Sequence, residues 1–562
     1  MKLRWWVVAI GYLGLAIIMT WPLSLNLSTH ILGAGGDAPM FVWNAWWLKQ
    51  VMFDGQSLFN TNYIFWPQTI GLYFHTLALV NSVVIALLST VVNLVLAFNV
   101  WFLTSVALSG LFTFLLVKHL TKSDLSAFFS GIIFAFAPYL TMHWLGHYNL
   151  ITVWFIPLFA WLIIRLKETY NFKFSIWAGI VAGLASLNDF YNPVFLFGFL
   201  LLFIIWLYVE RKKENAKLIK HWLTLLSAWL AVWGIWWLPT LLSKQSQIET
   251  MTHEQITAFY GADMVRYLTP SFLNPFWGWL ASMVPGRFSG GVEGTIFLGF
   301  TPLILVAIYL IYKFKNKIKE TVFPSVWFWL ILILGFGLLS FGPYLKIVER
   351  ILYVPLPYAW VSYIVPIWDN LRVPARFSLM VIFGLAVLAG FALTYLFTKI
   401  KTPKNQRIIF WALSALIIME FIPAPYPLMD LTIPPVYDQI RDDKTSESLL
   451  EIPWGVNSGY GTQGFFDAKF QYYATYHNKK IALGSISRVN EENIQFYPIN
   501  QLPFSVDSSS VSNFGRDWQA DWVVVHKKYL NPNDLITYQK YLTDLGYRKA
   551  FEDGLDVAYC NN

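Results

Sequence analysis

Residues 193–209 of the chain read PVFLFGFLLLFIIWLYV, and the residues that follow are Glu210, Arg211, Lys212 and Lys213. A helix of about 20 mostly apolar residues is long enough to cross a bilayer core of about 30 Å. This stretch therefore predicts a membrane-spanning helix that ends at a basic loop. Similar stretches recur along the chain, so the predicted fold class is a polytopic α-helical membrane protein.

The composition agrees with a membrane protein. Of the 562 residues, 56% are hydrophobic and 13% are charged, whereas soluble domains average about 25% charged residues. The single cysteine, Cys560, excludes an intramolecular disulfide and a cysteine-rich metal site. The basic segments are not interleaved with aromatic residues in a polar context, so we expect no nucleic-acid partner.

The basic loops predict the topology. Apolar windows give about eleven spans, and one further apolar stretch lies at 77–97. Cytoplasmic loops of membrane proteins are enriched in Lys and Arg. If residues 77–97 do not cross the membrane, the N-terminus and all five basic loops lie in the cytoplasm. We therefore predict that this stretch is re-entrant or interfacial. The five loops are 118–122, 165–173, 211–220, 313–319 and 399–407.

The charge balance changes near residue 430. Residues 1–431 carry 28 Lys and Arg against 16 Asp and Glu, whereas residues 432–562 carry 12 against 16. Five prolines between positions 423 and 435 exclude a regular helix there. We predict a transmembrane module at 1–430 and a soluble α/β domain at 431–562. An odd number of spans places that domain outside the cytoplasm.

Short patterns predict elements of the soluble domain. Residues Trp522–His526 resemble a buried strand, Asn533–Leu545 has helical spacing after Asn531, and Lys549–Tyr559 has the pattern of a hairpin. A lid or interaction domain without chemistry of its own is one interpretation of this domain.

The predicted site lies at the outer face, because the outer loops 25–97, 243–294 and 343–375 are long. In the first of them, Asp37 follows a glycine-rich segment and precedes Pro39, which suits the first turn of a helix. We predict an interfacial helix at 39–53, with its three tryptophans along the bilayer surface. Asp37 is either the cap of that helix or a carboxylate held beside a ligand.

Other polar residues share the predicted outer face. His143 and His147 have the i, i+4 spacing of a metal-binding pair, but no third ligand is visible in that loop, so we expect no metal there. Asp189 and Tyr191 lie at the end of a predicted span, where a carboxylate is costly unless it serves a function. Glu293 directly precedes a span and either compensates the helix dipole or contributes to a site.

Two arginines begin a predicted span. Arg372 and Arg376 either extend to the lipid headgroups or bind an anion such as a phosphate. Cations at a helix N-terminus oppose the helix dipole, and this favours the anionic ligand.

The arrangement resembles the GT-C superfamily of membrane glycosyltransferases: an outer-loop Asp after the first span, many spans and a C-terminal extracytoplasmic domain. More narrowly, it is similar to a prokaryotic group of glycosyltransferase-like predicted membrane proteins near the YfhO type. The residues that carry this similarity are the segments 36–47, 146–149, 274–278, 293–299 and 371–377.

The resemblance implies an enzyme that transfers a sugar from a polyprenyl-phosphate donor to a glycan, lipid or protein acceptor at the outer face of the cell membrane, usually with inversion. Asp37 is then the expected catalytic base, and Arg372 and Arg376 would contact the donor phosphate. We expect the other substrate-binding residues to be His147, Asp189, Tyr191, Glu293, Asn44 and His75.

The chain also departs from the superfamily pattern. Many members have a second acid within two residues of the first Asp, but here Gly35, Gly36, Ala38 and Pro39 occupy those places. No cofactor is therefore indicated, and a divalent metal such as Mg²⁺ or Mn²⁺ stays open. His75 stands roughly where some relatives have a basic-Pro-Pro motif. A non-catalytic transporter or accessory protein of envelope polysaccharide or glycolipid assembly is the alternative function.

Overall fold

The computed structural model describes residues 3–33, 35–210, 215–243, 254–284, 291–317, 322–365, 368, 371–458, 461–487 and 520–561. The predicted outer loops 243–294 and 343–375 therefore lie partly outside the described residues. The chain divides into two compact units. The first unit comprises Met1–Asn26, Asn99–Leu238 and Gln247–Leu428, and the second comprises Leu27–Phe98, Pro239–Ser246 and Met429–Asn562.

Helices dominate the described part of the first unit. In chain order, the α-helices of the described residues in both units are α1 (Trp5–Met19), α2 (Ala38–Phe53), α3 (Leu79–Leu88), α4 (Leu94–Thr121), α5 (Asp124–Ala135), α6 (Pro138–His143), α7 (Phe155–Thr169), α8 (Phe172–Asn188), α9 (Tyr191–Glu210), α10 (Asn215–Leu242), α11 (Glu254–Phe259), α12 (Gly278–Met283), α13 (Phe300–Lys315), α14 (Val326–Ser340), α15 (Pro357–Ile364), α16 (Ser378–Lys399), α17 (Pro403–Phe421), α18 (Val436–Asp442), α19 (Ala468–His477) and α20 (Pro532–Asp544).

Most of the strands belong to the second unit. In chain order they are β1 (His30–Leu32), β2 (Asn60–Thr61), β3 (Ile70–Gly71), β4 (Tyr344–Ile347), β5 (Arg350–Pro355), β6 (Leu428–Asp430), β7 (Ser448–Ile452), β8 (Gly455–Ser458), β9 (Gly461–Gly464), β10 (Lys480–Ile481), β11 (Gly484–Ser485), β12 (Trp522–His526), β13 (Arg548–Glu552) and β14 (Asp556–Cys560).

The helices of the first unit have the length and composition of membrane spans. Within the described residues, six helical segments are long and apolar enough to cross a bilayer, and four shorter helices are also apolar. The chain is therefore an integral membrane protein, as its composition predicts, while the number of eleven spans stays a prediction. Helix α3 is only ten residues long, or about 15 Å, a length that agrees with a non-spanning segment at 77–97.

Helix α16 forms the centre of the first unit. Nearly all of its residues from Ser378 to Leu393 are buried, and it packs against α5, α13 and α14. Close approach requires a small residue, because a Cβ at Gly390 would come within 2.4 Å of the Ser130 Oγ on α5. Small residues let membrane helices approach each other in this way. The packing of α16 fixes the segment before it, which carries both arginines of the predicted site.

The second unit contains a mixed five-stranded sheet, in the order β10-β7-β12-β14-β13. Strand β12 is parallel to β7 and antiparallel to β14, and all five of its residues are buried. The predictions of a strand at Trp522–His526 and of the hairpin after it are confirmed. The side chain of Asn531 caps α20 by accepting a hydrogen bond from the Asp534 N–H.

Three charged side chains are buried in this sheet. His526 contacts Asp556 through Nδ1, at 2.7 Å, and Glu451 through Nε2, at 2.9 Å. Tyr437 donates a hydrogen bond to the other oxygen of Glu451, at 2.9 Å. Burial alone would lower the pKa of His526, but the two carboxylates outweigh it and raise the pKa to about 9. The imidazolium therefore compensates acidic groups inside the sheet.

The predicted helix at 39–53 is present, but the prediction that its tryptophans lie along the bilayer surface is wrong. Helix α2 runs from Ala38 to Phe53, and Trp43, Trp46 and Trp47 on it are buried. The rings of Trp43 and Trp47 stack at a centroid distance of 5.6 Å. The helix packs against α3 and α19 within the second unit. The three tryptophans therefore form protein core, and the rings of Trp46 and Trp47 also pack against Tyr63.

Candidate functional site

Glu293 is the centre of a buried charged cluster in the first unit. It lies in a short 3₁₀ turn, Gly291–Gly294, a few residues before α13. Its carboxylate accepts hydrogen bonds from Arg376, whose Nε lies 3.0 Å from Oε1 and 3.1 Å from Oε2 and whose Nη2 also contacts Oε1. This two-pronged contact is the geometry that a guanidinium favours with a carboxylate. Arg376 is therefore held in one orientation.

Two histidines complete the surroundings of this carboxylate. His143 lies at the end of α6, and its Nε2 is 2.9 Å from the Glu293 Oε2. The Nε2 of His147 is 3.7 Å from the other oxygen, Oε1. The i, i+4 pair of histidines thus contacts a shared carboxylate. Among the described residues, no group of three His, Cys, Asp or Glu has an arrangement that would hold a metal ion.

The hydrogen bonds of His143 determine where protons lie. The Nδ1 of His143 is 2.6 Å from the carbonyl oxygen of Tyr139, and a carbonyl only accepts, so Nδ1 carries a proton. The Nε2 of the same ring faces the Glu293 carboxylate, which also only accepts. Burial would raise the pKa of Glu293, but Arg376 and the two histidines lower it well below its usual range. Glu293 is therefore ionised.

Tyr191 connects this cluster to the segment before α16. Its ring lies under the guanidinium of Arg376, with 4.8 Å between the guanidinium carbon and the ring centroid. Its hydroxyl oxygen accepts a hydrogen bond of 2.8 Å from the Val373 N–H. One side chain thus contacts both the backbone and the charged group of this segment. Arg372, the second predicted arginine, precedes Val373 and is half-buried.

Asp189 is buried at the end of α8. Its Oδ2 accepts a hydrogen bond of 2.6 Å from the Asn149 amide, and its Oδ1 accepts one of 2.7 Å from the Tyr191 N–H. The carboxylate thereby fixes the start of α9 and the position of Tyr191. The first unit therefore brings together the predicted residues His147, Asp189, Tyr191, Glu293 and Arg376.

A small cavity adjoins Glu293. Its volume of about 10 Å³ is roughly that needed for one water molecule. The lining includes Asp263, Arg266, Lys346 and Glu349. Arg266 contacts Glu349 at 3.1 Å, and Asp263 accepts hydrogen bonds from the backbone N–H groups of Val348 and Glu349. The charged cluster thus continues into a second set of ion pairs.

Three predicted residues belong to the second unit. Asp37 occupies the cap position of α2, but its side chain makes no capping hydrogen bond to the described helix. Asn44 and His75 contact each other, with 2.9 Å between Oδ1 and Nε2. The Ser487 N–H donates to the Nδ1 of His75 at 3.1 Å, so the imidazole is neutral with its proton on Nε2. Burial lowers the pKa of His75 to about 3, which excludes a cationic role at neutral pH.

Some residues of the cluster were not among the predicted site residues. His143 drew attention only as half of a metal-binding pair, although its contact with Glu293 is the shorter of the two. Tyr139 carried no signal, and Asn149 appeared only as the end of the segment 146–149, because each acts through an ordinary side-chain or backbone hydrogen bond that only the folded chain reveals.

A model of a known protein family matches most of the first unit and part of the second. Residues 40–419, more than half of the chain, match DUF6311, described as a domain of unknown function. The chain belongs to this family. Among curated protein sequences, none matches it.

Two solved structures of low sequence identity are similar to this chain. ArnT from Cupriavidus metallidurans bound to undecaprenyl phosphate is 12% identical with a TM-score of 0.50, over 99% of this chain and 97% of that chain. The archaeal oligosaccharyltransferase AglB from Archaeoglobus fulgidus, in complex with an inhibitory peptide and a dolichol-phosphate, is 11% identical with a TM-score of 0.49, over 93% and 69%. Both are GT-C glycosyltransferases. The likeness to ArnT supports a GT-C-like fold for this chain.

Proposed function

We propose that this protein is a glycosyltransferase that moves a sugar from a polyprenyl-phosphate donor to an acceptor at the outer membrane face. The observation that carries the proposal is the likeness in fold, over nearly the whole chain, to an ArnT structure bound to undecaprenyl phosphate. The second observation is the buried cluster of Glu293, His143 and Arg376, because such a group of charges is typical of a functional site.

The proposed reaction inverts the anomeric carbon. The acceptor hydroxyl loses its proton to the Asp37 carboxylate, its oxygen forms a bond to the anomeric carbon, and the polyprenyl phosphate leaves with the electrons of the broken bond. Arg372 and Arg376 bind the donor phosphate. His147, Asp189, Tyr191, Glu293, Asn44 and His75 contribute to substrate binding, several of them by fixing neighbouring groups. A glycan, lipid or protein is the acceptor.

Transfer of a labelled sugar from a polyprenyl-phosphate donor by the purified protein tests this function. Asp37→Asn removes the basicity while keeping the shape, and transfer is expected to fall by about 10²-fold or more. Asp54→Asn is the matched control, because Asp54 ends the same helix and is exposed. Near-full activity of Asp37→Asn would make another carboxylate the base. Donor binding without transfer from any donor would favour the accessory role.

The proposed topology places the N-terminus in the cytoplasm and the C-terminal domain outside. The motivation is the set of five basic loops. Cysteine labelling is expected to place Lys315 in the cytoplasm and Asn531 outside. Labelling of position 315 from the outside would contradict the re-entrant prediction for 77–97.

A further inference from the structure

A cavity of about 540 Å³ lies in the first unit, where three helices end or begin. Its lining comes from the last residues of α9, from the last turn of α13 with Lys317 two residues beyond it, and from the start of α14 with the residue before it. None of the predicted site residues lines it. The cavity is large enough for the headgroup of a phospholipid and is independent of the cluster around Glu293.

Hydrogen-bond donors dominate the polar lining. Lys313 and Lys317 supply two ammonium groups, and only 5% of Lys313 is exposed to solvent. The buried indole N–H of Trp206 has no hydrogen-bond partner among the described residues. Glu210 is the acidic residue of the described lining. A ligand that fits this chemistry carries negative charge and several acceptor oxygens, as a phosphate does.

Helix α14 adds to the positive potential. It begins at Val326, is 15 residues long, and Ser325 and Trp327 at its start line the cavity. The side chain of Ser325 makes no capping hydrogen bond to the described first turn. The N–H groups at the start of a helix carry partial positive charge and favour an anion nearby. This supports the two lysines in selecting a phosphate.

The aromatic lining identifies the source of that phosphate. Trp206 and Trp327 lie at the ends of apolar helices, where tryptophans mark the headgroup level of a bilayer. More than half of Trp327 is exposed, with 52% of its surface accessible. A ligand in this cavity therefore has an apolar part that contacts rings facing the bilayer. Basic pockets between spans are known to bind anionic lipid headgroups.

We propose that the cavity between the ends of α9, α13 and α14 binds the headgroup of an anionic phospholipid. The phosphate lies between Lys313 and Lys317, near the start of α14, and the glycerol and acyl chains lie along the two indole rings. In the predicted topology this is a lipid of the cytoplasmic leaflet. The site is separate from the proposed donor site and does not depend on the proposed function.

Native mass spectrometry of the full-length protein, with phosphatidylglycerol or phosphatidylcholine added to the detergent, tests the proposal. Wild type is expected to bind phosphatidylglycerol more tightly than phosphatidylcholine. Lys317→Gln is expected to weaken phosphatidylglycerol binding by roughly fivefold, the effect of one lysine near a charged lipid surface. Lys313→Gln is expected to weaken it at least as much, and Lys313→Arg is expected to preserve binding.

The control variant also removes one lysine charge, at a position of α13 outside the cavity. Lys315 is exposed on α13 and does not line the cavity, so Lys315→Gln is expected to retain the wild-type preference. Equal binding of the two lipids, or equal losses in Lys315→Gln and Lys317→Gln, would overturn the proposal. Displacement of phosphatidylglycerol by millimolar inorganic phosphate or glycerol 3-phosphate would also overturn it, because the ligand would then be a soluble phosphate. Lys317 is exposed, so its variant tests the proposal even if Lys313→Gln fails to fold.

Discussion

The buried contact between Glu293 and Arg376 provides a quantitative test of the site. Glu293→Gln keeps the shape of the side chain and one acceptor oxygen, but it removes the negative charge from a group whose side chain is only 7% exposed. Breaking a buried ion pair by removing one partner typically destabilises a protein by about 3–5 kcal/mol. The remaining amide oxygen still accepts from Arg376, and the amide N–H₂ can donate to His143, so we expect the lower end, about 3 kcal/mol.

The measurement is unfolding of the full-length protein in detergent, followed by the fluorescence of its 28 tryptophans. The control is Glu447→Gln, because Glu447 contacts Lys480 at 2.7 Å and its side chain is 74% exposed. Such exposed ion pairs contribute about 1 kcal/mol or less. A second control combines Glu293→Gln with Arg376→Gln. We expect it to lose less stability than the sum of the single variants, with a coupling free energy of about 2 kcal/mol.

The lowered pKa of Glu293 determines the direction in which stability changes with pH. The pKa of Glu293 is lower in the folded protein than in the unfolded chain, so the stability from this group is present above its unfolded pKa and is lost as the pH falls through the folded pKa. Between pH 8 and 5.5 the destabilisation by Glu293→Gln is therefore expected to stay constant. If Glu293→Gln unfolds like Glu447→Gln, or if the double variant is strictly additive, the contact with Arg376 does not stabilise the fold and our reasoning fails.

Two further changes test other charged groups. The folded pKa of His526, about 9, exceeds its unfolded value of about 6.5, so its stabilisation is present below pH 6.5 and is lost as the pH rises through 9. The free energy of protection from hydrogen exchange in the strand Trp522–His526, corrected for intrinsic rates, should fall by about 3 kcal/mol over that range. An equal fall in His526→Gln would show that His526 is not the group responsible. Arg372→Gln should weaken binding of a polyprenyl-phosphate donor about tenfold or more, whereas Arg350→Gln, at an exposed strand residue, should not; an unchanged donor affinity would return Arg372 to contacting lipid headgroups.

The local elements of the second unit followed from the sequence because their signals are short-range. A run of β-branched residues gives Trp522–His526, and Asn531 caps the helix three residues before the N–H that it binds. The residues of its turn were sufficient to predict the hairpin of β13 and β14. The burial of Trp43, Trp46 and Trp47 was missed, because a cluster of tryptophans suits a membrane surface and a protein core equally well. The folded structure, in which α3, Tyr63 and the sequence-distant helix α19 pack on α2, decides between them.

The sequence predicted which residues belong to the site, but it did not predict which of them contact each other. Glu293 and Arg376 are 83 positions apart, and His143 and Glu293 are 150 positions apart. Each had a local explanation in the sequence, as dipole compensation, a lipid contact or half of a metal pair. A single sequence does not indicate that residues so far apart contact each other. The charge neutralisation between Glu293 and Arg376 is therefore visible only in the folded structure.

The ion pair between Glu293 and Arg376 limits how Arg376 could bind a phosphate. The contacts with Glu293 use Nε and Nη2 of Arg376, which together form an edge of the guanidinium suited to two-pronged binding of an anion. A phosphate at Arg376 must therefore share the guanidinium with Glu293 or displace it. Sharing leaves the phosphate close to an ionised carboxylate, so the two anions repel each other across the guanidinium. Under the proposed function, Arg376 therefore cannot bind a donor phosphate as an isolated cation, and its contact with Glu293 has to be part of the recognition.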